Sequence, residues 1–373
     1  MKEQIVFNGE AGYAGLDECL KAWGTRCLLL VCGRSAHSLR AGRYFDALTE
    51  RTGIRVCRFS DYQPNPKYES VAAGVDMLRR CGCDAIAAVG GGSAMDVAKC
   101  IKLFANMDPA QNYLRQPVVP NDIPLVAVPT TAGTGSEATR FAVIYYQGEK
   151  QSVADESCLP DAVLLDASAL KTLPEYQKKA TMLDALCHAV ESWWSVHSTE
   201  ESHRLSGEAI RQILENWNGY LANEDAGNAG MLRAANVAGR AINITQTTAG
   251  HAMCYKLTTL YGIAHGHAAA LCVARLWRDM AERAGDCVDP RGEAHLRGAL
   301  LAMAAAFGTE TIEGGAERFR ALLDSLCLPV PTPKKEDWAI LTASVNPTRL
   351  KNHPVRLDEQ RLDALYHQIL KEN

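Results

Sequence analysis

The chain has no uninterrupted apolar stretch near the about eighteen residues that a membrane-spanning helix needs, and its opening, MKEQIVFNGEAGYAG, lacks the apolar core of a secretory signal. It has no block of like charge either: 39 basic residues stand against 43 acidic ones, for a net charge of −4. That balance excludes the basic footprint of a nucleic-acid binder and the cationic face of a membrane-surface protein. No internal repeat or low-complexity linker is present, and no spaced cysteine framework. Most of the thirteen cysteines lie singly in apolar runs such as CLLLVC, as small core residues of a reducing compartment do. The only close pair, Cys81 and Cys83, is Cys-x-Cys with no second pair nearby, which argues against a zinc knuckle. The expectation is a soluble, cytoplasmic protein that handles a small molecule.

At 373 residues the chain is too long for a typical single core, so two domains are expected. CLLLVC at 27–32 reads as a buried parallel strand, followed by a helix over about 38–52, a strand over 53–59 and a helix over 68–81. This alternation predicts a doubly wound α/β unit. The next apolar run, 85–89, enters Gly90, Gly91 and Gly92, with a helix expected from Ser93 or Ala94. Such a turn lets backbone approach a phosphate at a helix N-terminus, although it is not G-x-G-x-x-G and a plain tight turn reads the same way. After another apolar run, 123–129, TTAGTGSEAT packs Thr130, Thr131, Thr134, Ser136 and Glu137 around two glycines, either as a second wall of that site or as a polar surface loop.

From about residue 170 the strand-like runs stop, and apolar spacing of three and four predicts a helical bundle. Within it, TMLDALCHAVE puts Asp184 and His188 four apart, hence on one helical face. Downstream, AGHAMCYKLTTLYGIAHGHAAA holds His251, His265 and His267, three of the ten histidines. A carboxylate with several imidazoles in an apolar setting suits a divalent transition ion.

GGGSAMDVAK, PTTAGTGSEAT, DALCHAVE and the His251 to His265 spacing, in this order, together resemble the iron-containing alcohol dehydrogenase family over nearly the whole chain. The resemblance implies a dehydroquinate synthase-like fold: an α/β dinucleotide-binding domain over residues 1–170, an all-α domain over 171–373, and an active site in the cleft between them. It implies Asp184, His188, His251 and His265 as ligands of Fe(II), with Zn(II) also accepted. It further implies an NAD(H) or NADP(H) site drawing on Gly33, Ser35, Asn65, Gly90, Gly91, Gly92, Ser93, Asp96, Thr130, Thr131, Thr134, Ser136 and Lys150. A homodimer or larger homo-oligomer is expected on the same ground.

The chain departs from the family pattern in two places. Where many members have an Asp after the first strand, this one has Gly33, Arg34 and Ser35, which leaves NADPH open. Where many have a proton-relaying histidine four residues after His251, this one has Tyr255, so Tyr255 and His267 are the candidate catalytic groups. Arg140, Lys256, Arg349 and Lys351 lie close in sequence to the expected site and together suit an anionic substrate, although each alone reads more readily as a solvated surface charge. The second histidine segment looks most like the branch of the family that reduces phosphonoacetaldehyde to 2-hydroxyethylphosphonate. The alternatives are a general short-chain alcohol dehydrogenase, a zinc polyol dehydrogenase or sugar-phosphate cyclase of the same superfamily, and a non-catalytic nucleotide- or metal-binding protein.

Overall fold

A computed structural model describes residues 3–371. Its contacts divide into two compact units: one runs to Leu173 and adds Asn223–Asn236, and the other takes Pro174–Ala222 and continues from Val237.

The first unit is built on a six-stranded sheet of β1 (Ile5–Asn8), β2 (Cys27–Cys32), β3 (Arg55–Phe59), β4 (Ala85–Gly90), β5 (Leu125–Pro129) and the later strand Ala162–Leu165. That last strand is β8, because an antiparallel hairpin of β6 (Phe141–Tyr146) and β7 (Glu149–Ala154) precedes it. The sheet order is β1-β8-β5-β4-β2-β3, with every pairing parallel. Continuous apolar strands are what a parallel sheet covered on both faces requires, and every residue of β2 and β5 is buried. Helices α1 (Gly12–Ala22), α2 (Arg40–Asp46), α3 (Leu48–Thr52), α4 (Tyr68–Cys81) and α5 (Gly92–Phe104) complete the α/β pattern. Strands β4 and β5 lie side by side and end in the glycine and threonine loops, at the carboxyl ends where open α/β sheets bind ligands.

The single helix expected over 38–52 is a correction. The chain there makes a 3-10 turn at Arg34–Ser38, then α2, then α3, broken at Leu39, which is extended at φ −83° and ψ 153°, and at Ala47. Tight folding at Leu39 is visible at Gly42, where an added Cβ would lie 1.9 Å from the Ala36 carbonyl oxygen.

The second unit is helical. Its middle is α6 (Glu175–Trp194), which packs against α7 (Glu200–Leu221) and against the later helix His265–Glu282. Contact on several sides explains why α6 is buried nearly all round, from Met182 to Trp194 without a break. Next come α8 (Asp225–Thr245), whose residues to Asn236 belong to the first unit, α9 (Ala249–Tyr261), α10 (His265–Glu282), α11 (Glu293–Ala306), α12 (Ile312–Ser325), α13 (Asp337–Ala343), α14 (Pro347–Leu350) and α15 (Glu359–Lys371). The segment NPTRLKNHPV contains the one-turn α14, started by Asn346 accepting from the Thr348 N–H. Among the described residues no helix is long and apolar enough to cross a membrane.

Candidate active site

Helical spacing starts the site. On α6, Asp184 and His188 stand one turn apart, and α9 brings His251 against them. The Asp184 Oδ1 lies 3.4 Å from His251 Nε2 and 3.9 Å from His188 Nε2. The two imidazoles stack with centroids 4.6 Å apart. Donor atoms of Asp184, His188 and His251 all fall within 4.8 Å of one another, and all three residues are buried. His265, the first residue of α10, places its ring 5.2 Å from that of His251 and its Nδ1 3.5 Å from Cys254 Sγ. Burial alone would raise the Asp184 carboxyl, but His188, followed by His251 and His265, pulls it well below the usual carboxylate range. A buried carboxylate kept ionised among imidazoles is a donor set that fits Fe(II) or Zn(II).

Around this group lies a residue that the sequence reading passed over. Glu191, the last letter of TMLDALCHAVE, is fully buried. Its Oε1 accepts from the Thr248 N–H at 2.9 Å, the Thr248 hydroxyl at 2.7 Å and the His251 N–H at 3.2 Å, while Oε2 pairs with His251 Nδ1. Burial pushes the His251 imidazole down, but Glu191 and Asp184 together outweigh it and lift His251 to about 9. The pairing fixes Nδ1 as the protonated nitrogen, so Nε2 is the atom that faces Asp184. The signal was present in the spacing, since 184, 188 and 191 recur at four and three along one face. Helix α10 approaches this face closely: a Cβ on Gly266 would lie 2.0 Å from the Ala180 carbonyl oxygen and 2.6 Å from Asp184 Cβ.

The two candidate catalytic groups are placed differently. Tyr255 stacks its ring on His265, centroids 5.2 Å apart, and its hydroxyl accepts from Arg349 Nη1 at 3.1 Å. The Arg349 guanidinium also sits 5.1 Å from the centre of the Tyr255 ring. Burial holds the Tyr255 phenol well above its ordinary value. His267 is fully buried, with Nδ1 3.3 Å from the Tyr176 hydroxyl, and burial lowers it to about 4. Two residues along a helix is a rotation of about 200°, which is why His267 leaves α10 on a different side from His265. Lys256 is half-buried on α9 and Lys351 is exposed. Arg140 belongs to the first unit, where it pairs with Glu156 at 3.3 Å.

In the first unit the glycine and threonine loops meet. The Thr130 N–H donates to the Gly90 carbonyl at 3.0 Å. A Cβ on Gly91 would come within 3.4 Å of the Thr131 side chain, and one on Gly92 within 3.2 Å of Thr134 Cγ2. Helix α5 starts at Gly92 with Gly91 before it and no side-chain cap. A side-chain-free approach to an uncapped helix start fits a pyrophosphate. Behind the loops, Lys99 donates to Ser136 Oγ at 3.0 Å, Thr139 Oγ1 at 3.1 Å and the Phe141 carbonyl at 2.8 Å. Ser136 in turn donates to Asp96 at 3.3 Å. Burial raises Asp96 to about 6, with Lys99 pulling it back most strongly and Lys150, on β7, adding to that. Gly33 follows β2, Ser35 is exposed in the 3-10 turn, Ser93 is half-buried, and Asn65 is exposed with φ 58°. The Tyr62 hydroxyl, absent from the sequence reading, stands 4.0 Å from the Cβ position of Gly33 and 3.9 Å from that of Gly90.

Comparison with known proteins matches residues 3–167 to the model for iron-containing alcohol dehydrogenase and residues 178–367 to the C-terminal model of the Fe-containing alcohol dehydrogenase family. The phosphonoacetaldehyde reductase of Streptomyces viridochromogenes is 35% identical over 316 residues, which is 80% of this chain and 79% of that protein. The NAD-dependent methanol dehydrogenase of Bacillus methanolicus is 32% identical over 66% of each chain. Among solved structures, the sulfoacetaldehyde reductase from Bifidobacterium kashiwanohense in complex with NAD+ superposes with a TM-score of 0.89 at 24% identity, covering 100% of this chain and 98% of that one. A 1,3-propanediol oxidoreductase gives 0.86 at 26% identity, covering 99% of this chain and 100% of that one.

Proposed function

Because the chain belongs to the iron-containing alcohol dehydrogenase family, and is therefore an iron- and NAD-linked oxidoreductase of small aldehydes and alcohols, we propose that its substrate is a small aldehyde bearing an anionic group. Phosphonoacetaldehyde, reduced to 2-hydroxyethylphosphonate, is the first candidate. The observation that carries this reading is Arg349: its guanidinium is held by Tyr255, whose ring lies on His265 beside the carboxylate and imidazole group. A fixed cation one ring away from the proposed ligands suits a two-carbon aldehyde with a charged tail. Similarity to a phosphonoacetaldehyde reductase over most of both chains supports the same substrate.

When bound, the ferrous ion supplies Lewis-acid polarisation of a carbonyl and the reduced nicotinamide supplies a hydride. The remaining work falls to this chain's side chains. Asp184, His188, His251 and His265 hold the ion, and Glu191 keeps the His251 Nδ1 protonated so that Nε2 can ligate. The Gly90–Gly92 turn, the start of α5, and Ser93, Thr130, Thr131, Thr134 and Ser136 hold the pyrophosphate and nicotinamide side, with Gly33, Ser35, Asn65, Asp96 and Lys150 toward the riboses. No carboxylate follows β2 at residues 33–35, so a 2′-phosphate meets no acidic side chain from that turn. Tyr255 remains a neutral phenol and serves as a hydrogen-bonding group, and Arg349 binds the anionic tail, with Lys256 and Lys351 as further cations of the proposal. In this reading residues to about 170 bind the cofactor, the helical remainder binds metal and substrate, and the enzyme works in the cytoplasm as a homo-oligomer.

The second reading is a general short-chain alcohol dehydrogenase. Packing of Arg349 over the Tyr255 ring favours it, since that contact gives the arginine a structural task without any anionic ligand. The test is NADH and NADPH oxidation by anaerobically iron-loaded protein, with phosphonoacetaldehyde beside propanal, in the wild type and in Arg349→Met. The expected result is a preference of about 100-fold in kcat/KM for the phosphonate, roughly 3 kcal/mol, that collapses in the variant while propanal turnover is retained. Equal use of propanal by the wild type sinks the anionic-substrate reading.

A further inference from the structure

Away from the carboxylate and imidazole group, the first unit gathers three thiols around the start of β2, with a fourth cysteine beside them. Cys27 opens β2, Cys57 lies on the edge strand β3, Cys81 ends α4, and Cys83 stands just before β4. Gly82, left-handed at φ 61°, reverses the chain between the last two. The Cys27 sulfur is 3.4 Å from that of Cys83 and 3.8 Å from that of Cys57, and all three lie within 4.8 Å of one another. Cys81 flanks the cluster, and its backbone carbonyl accepts from the Cys27 thiol at 3.6 Å. Read along the sequence, Cys-x-Cys lacked a second pair; the sheet supplies one from two other strands.

We propose that Cys27, Cys57 and Cys83 form a three-thiolate site for a soft d10 metal ion such as Zn(II), Cd(II) or Cu(I), with a further position left to solvent. Spacing is the first argument. A tetrahedral thiolate site with metal–sulfur bonds of about 2.3 Å has sulfur–sulfur edges of about 3.8 Å, close to both measured separations. Access is the second, since Cys27 and Cys83 are buried while Cys57 and Cys81 are half-buried and open a path from solvent. Donor type is the third: an all-sulfur set selects soft ions, whereas the nitrogen and oxygen donors around Asp184 suit Fe(II), so one chain can sort two metals. Binding involves no redox change. Each coordinating thiol loses its proton to solvent, and the ion ties β2, β3 and the turn after α4 together.

The probe is Cd(II) alone, titrated into reduced, iron-loaded, full-length protein while thiolate-to-cadmium charge-transfer absorption is followed. The band should saturate at one equivalent per chain, weaken at least about 100-fold in affinity in Cys57→Ser and in Cys83→Ser, and persist in Cys327→Ser, which removes an exposed thiol elsewhere. Cys57 is half-buried, so its serine variant tests the site even if Cys83→Ser fails to fold. X-ray absorption of the bound cadmium should show a sulfur shell. Absence of the band, its survival in the Cys57→Ser/Cys83→Ser double variant, or a shell of nitrogen and oxygen would each overturn the proposal.

Discussion

Replacing Glu191 by glutamine should disable His251 as a ligand without changing the volume of the core. In the native site three donors, the Thr248 N–H, the Thr248 hydroxyl and the His251 N–H, converge on one carboxylate oxygen. They will hold the amide carbonyl of the glutamine in the same place, so its NH2 must occupy the position beside His251 Nδ1. An amide donor there requires Nδ1 to accept, which moves the imidazole proton to Nε2, the nitrogen that faces Asp184. Loss of such a supporting carboxylate typically weakens metal binding about 10–100-fold, roughly 1.4–2.7 kcal/mol, and the enforced wrong tautomer puts this case at the upper end. The assay is anaerobic competition for Fe(II) against a chromophoric chelator, with thermal melts to establish that the variant folds. Unchanged iron affinity in a folded Glu191→Gln protein would refute the tautomer argument.

Two further outcomes follow from packing and burial. Gly266→Ala should destabilise the protein by about 1–3 kcal/mol and lower iron occupancy with it, because the new methyl meets the backbone of α6 rather than a movable side chain; calorimetry and metal analysis read both, and an unaltered melt counts against the close contact. His353 is fully buried, neither ring nitrogen has a hydrogen-bond partner among the described residues, and burial lowers it to about 4 against an opposing pull from Glu191. Its folded value lies below the unfolded one of about 6.5, so acidification through that window protonates the unfolded chain first and removes stability, on the order of 3 kcal/mol by pH 4. Urea midpoints between pH 7 and 4.5 should therefore fall further for wild type than for His353→Phe, and parallel curves would show that His353 does not titrate this way.

Much of the framework was readable in one dimension because parallel strands buried on both faces must be continuously apolar. CLLLVC, AIAAV and LVAVP stand out for that reason. The shorter IVFN and AVLL strands, four residues each, carry too little pattern to be recognised alone. The β6–β7 hairpin was missed although its turn is explicit: Gln147 and Gly148 both have positive φ, 52° and 81°, as a two-residue turn of that hand needs. Helical spacing placed Asp184 and His188 on one face, but not that α9 would bring Thr248 and His251 to the carboxylate three residues further on. Glu191 therefore read as an ordinary charged residue, since only tertiary contact shows that its oxygens meet four polar groups. The thiols are the same case: Cys27, Cys57 and Cys83 are neighbours across strands, and sequence distance conceals cross-strand distance.

Helix α6 carries Asp184, His188 and Glu191 on a single rod, and this constrains how descendants of the chain can vary. A substitution changes one of these groups at a time, whereas a one-residue deletion inside 185–190 rotates everything beyond it by about 100° and turns half of the constellation away from the other half. Length in this stretch should therefore be invariant among functional descendants even where composition drifts. The hairpin tip at Gln147 and Gly148, exposed and bound to no such register, is free to grow or shrink.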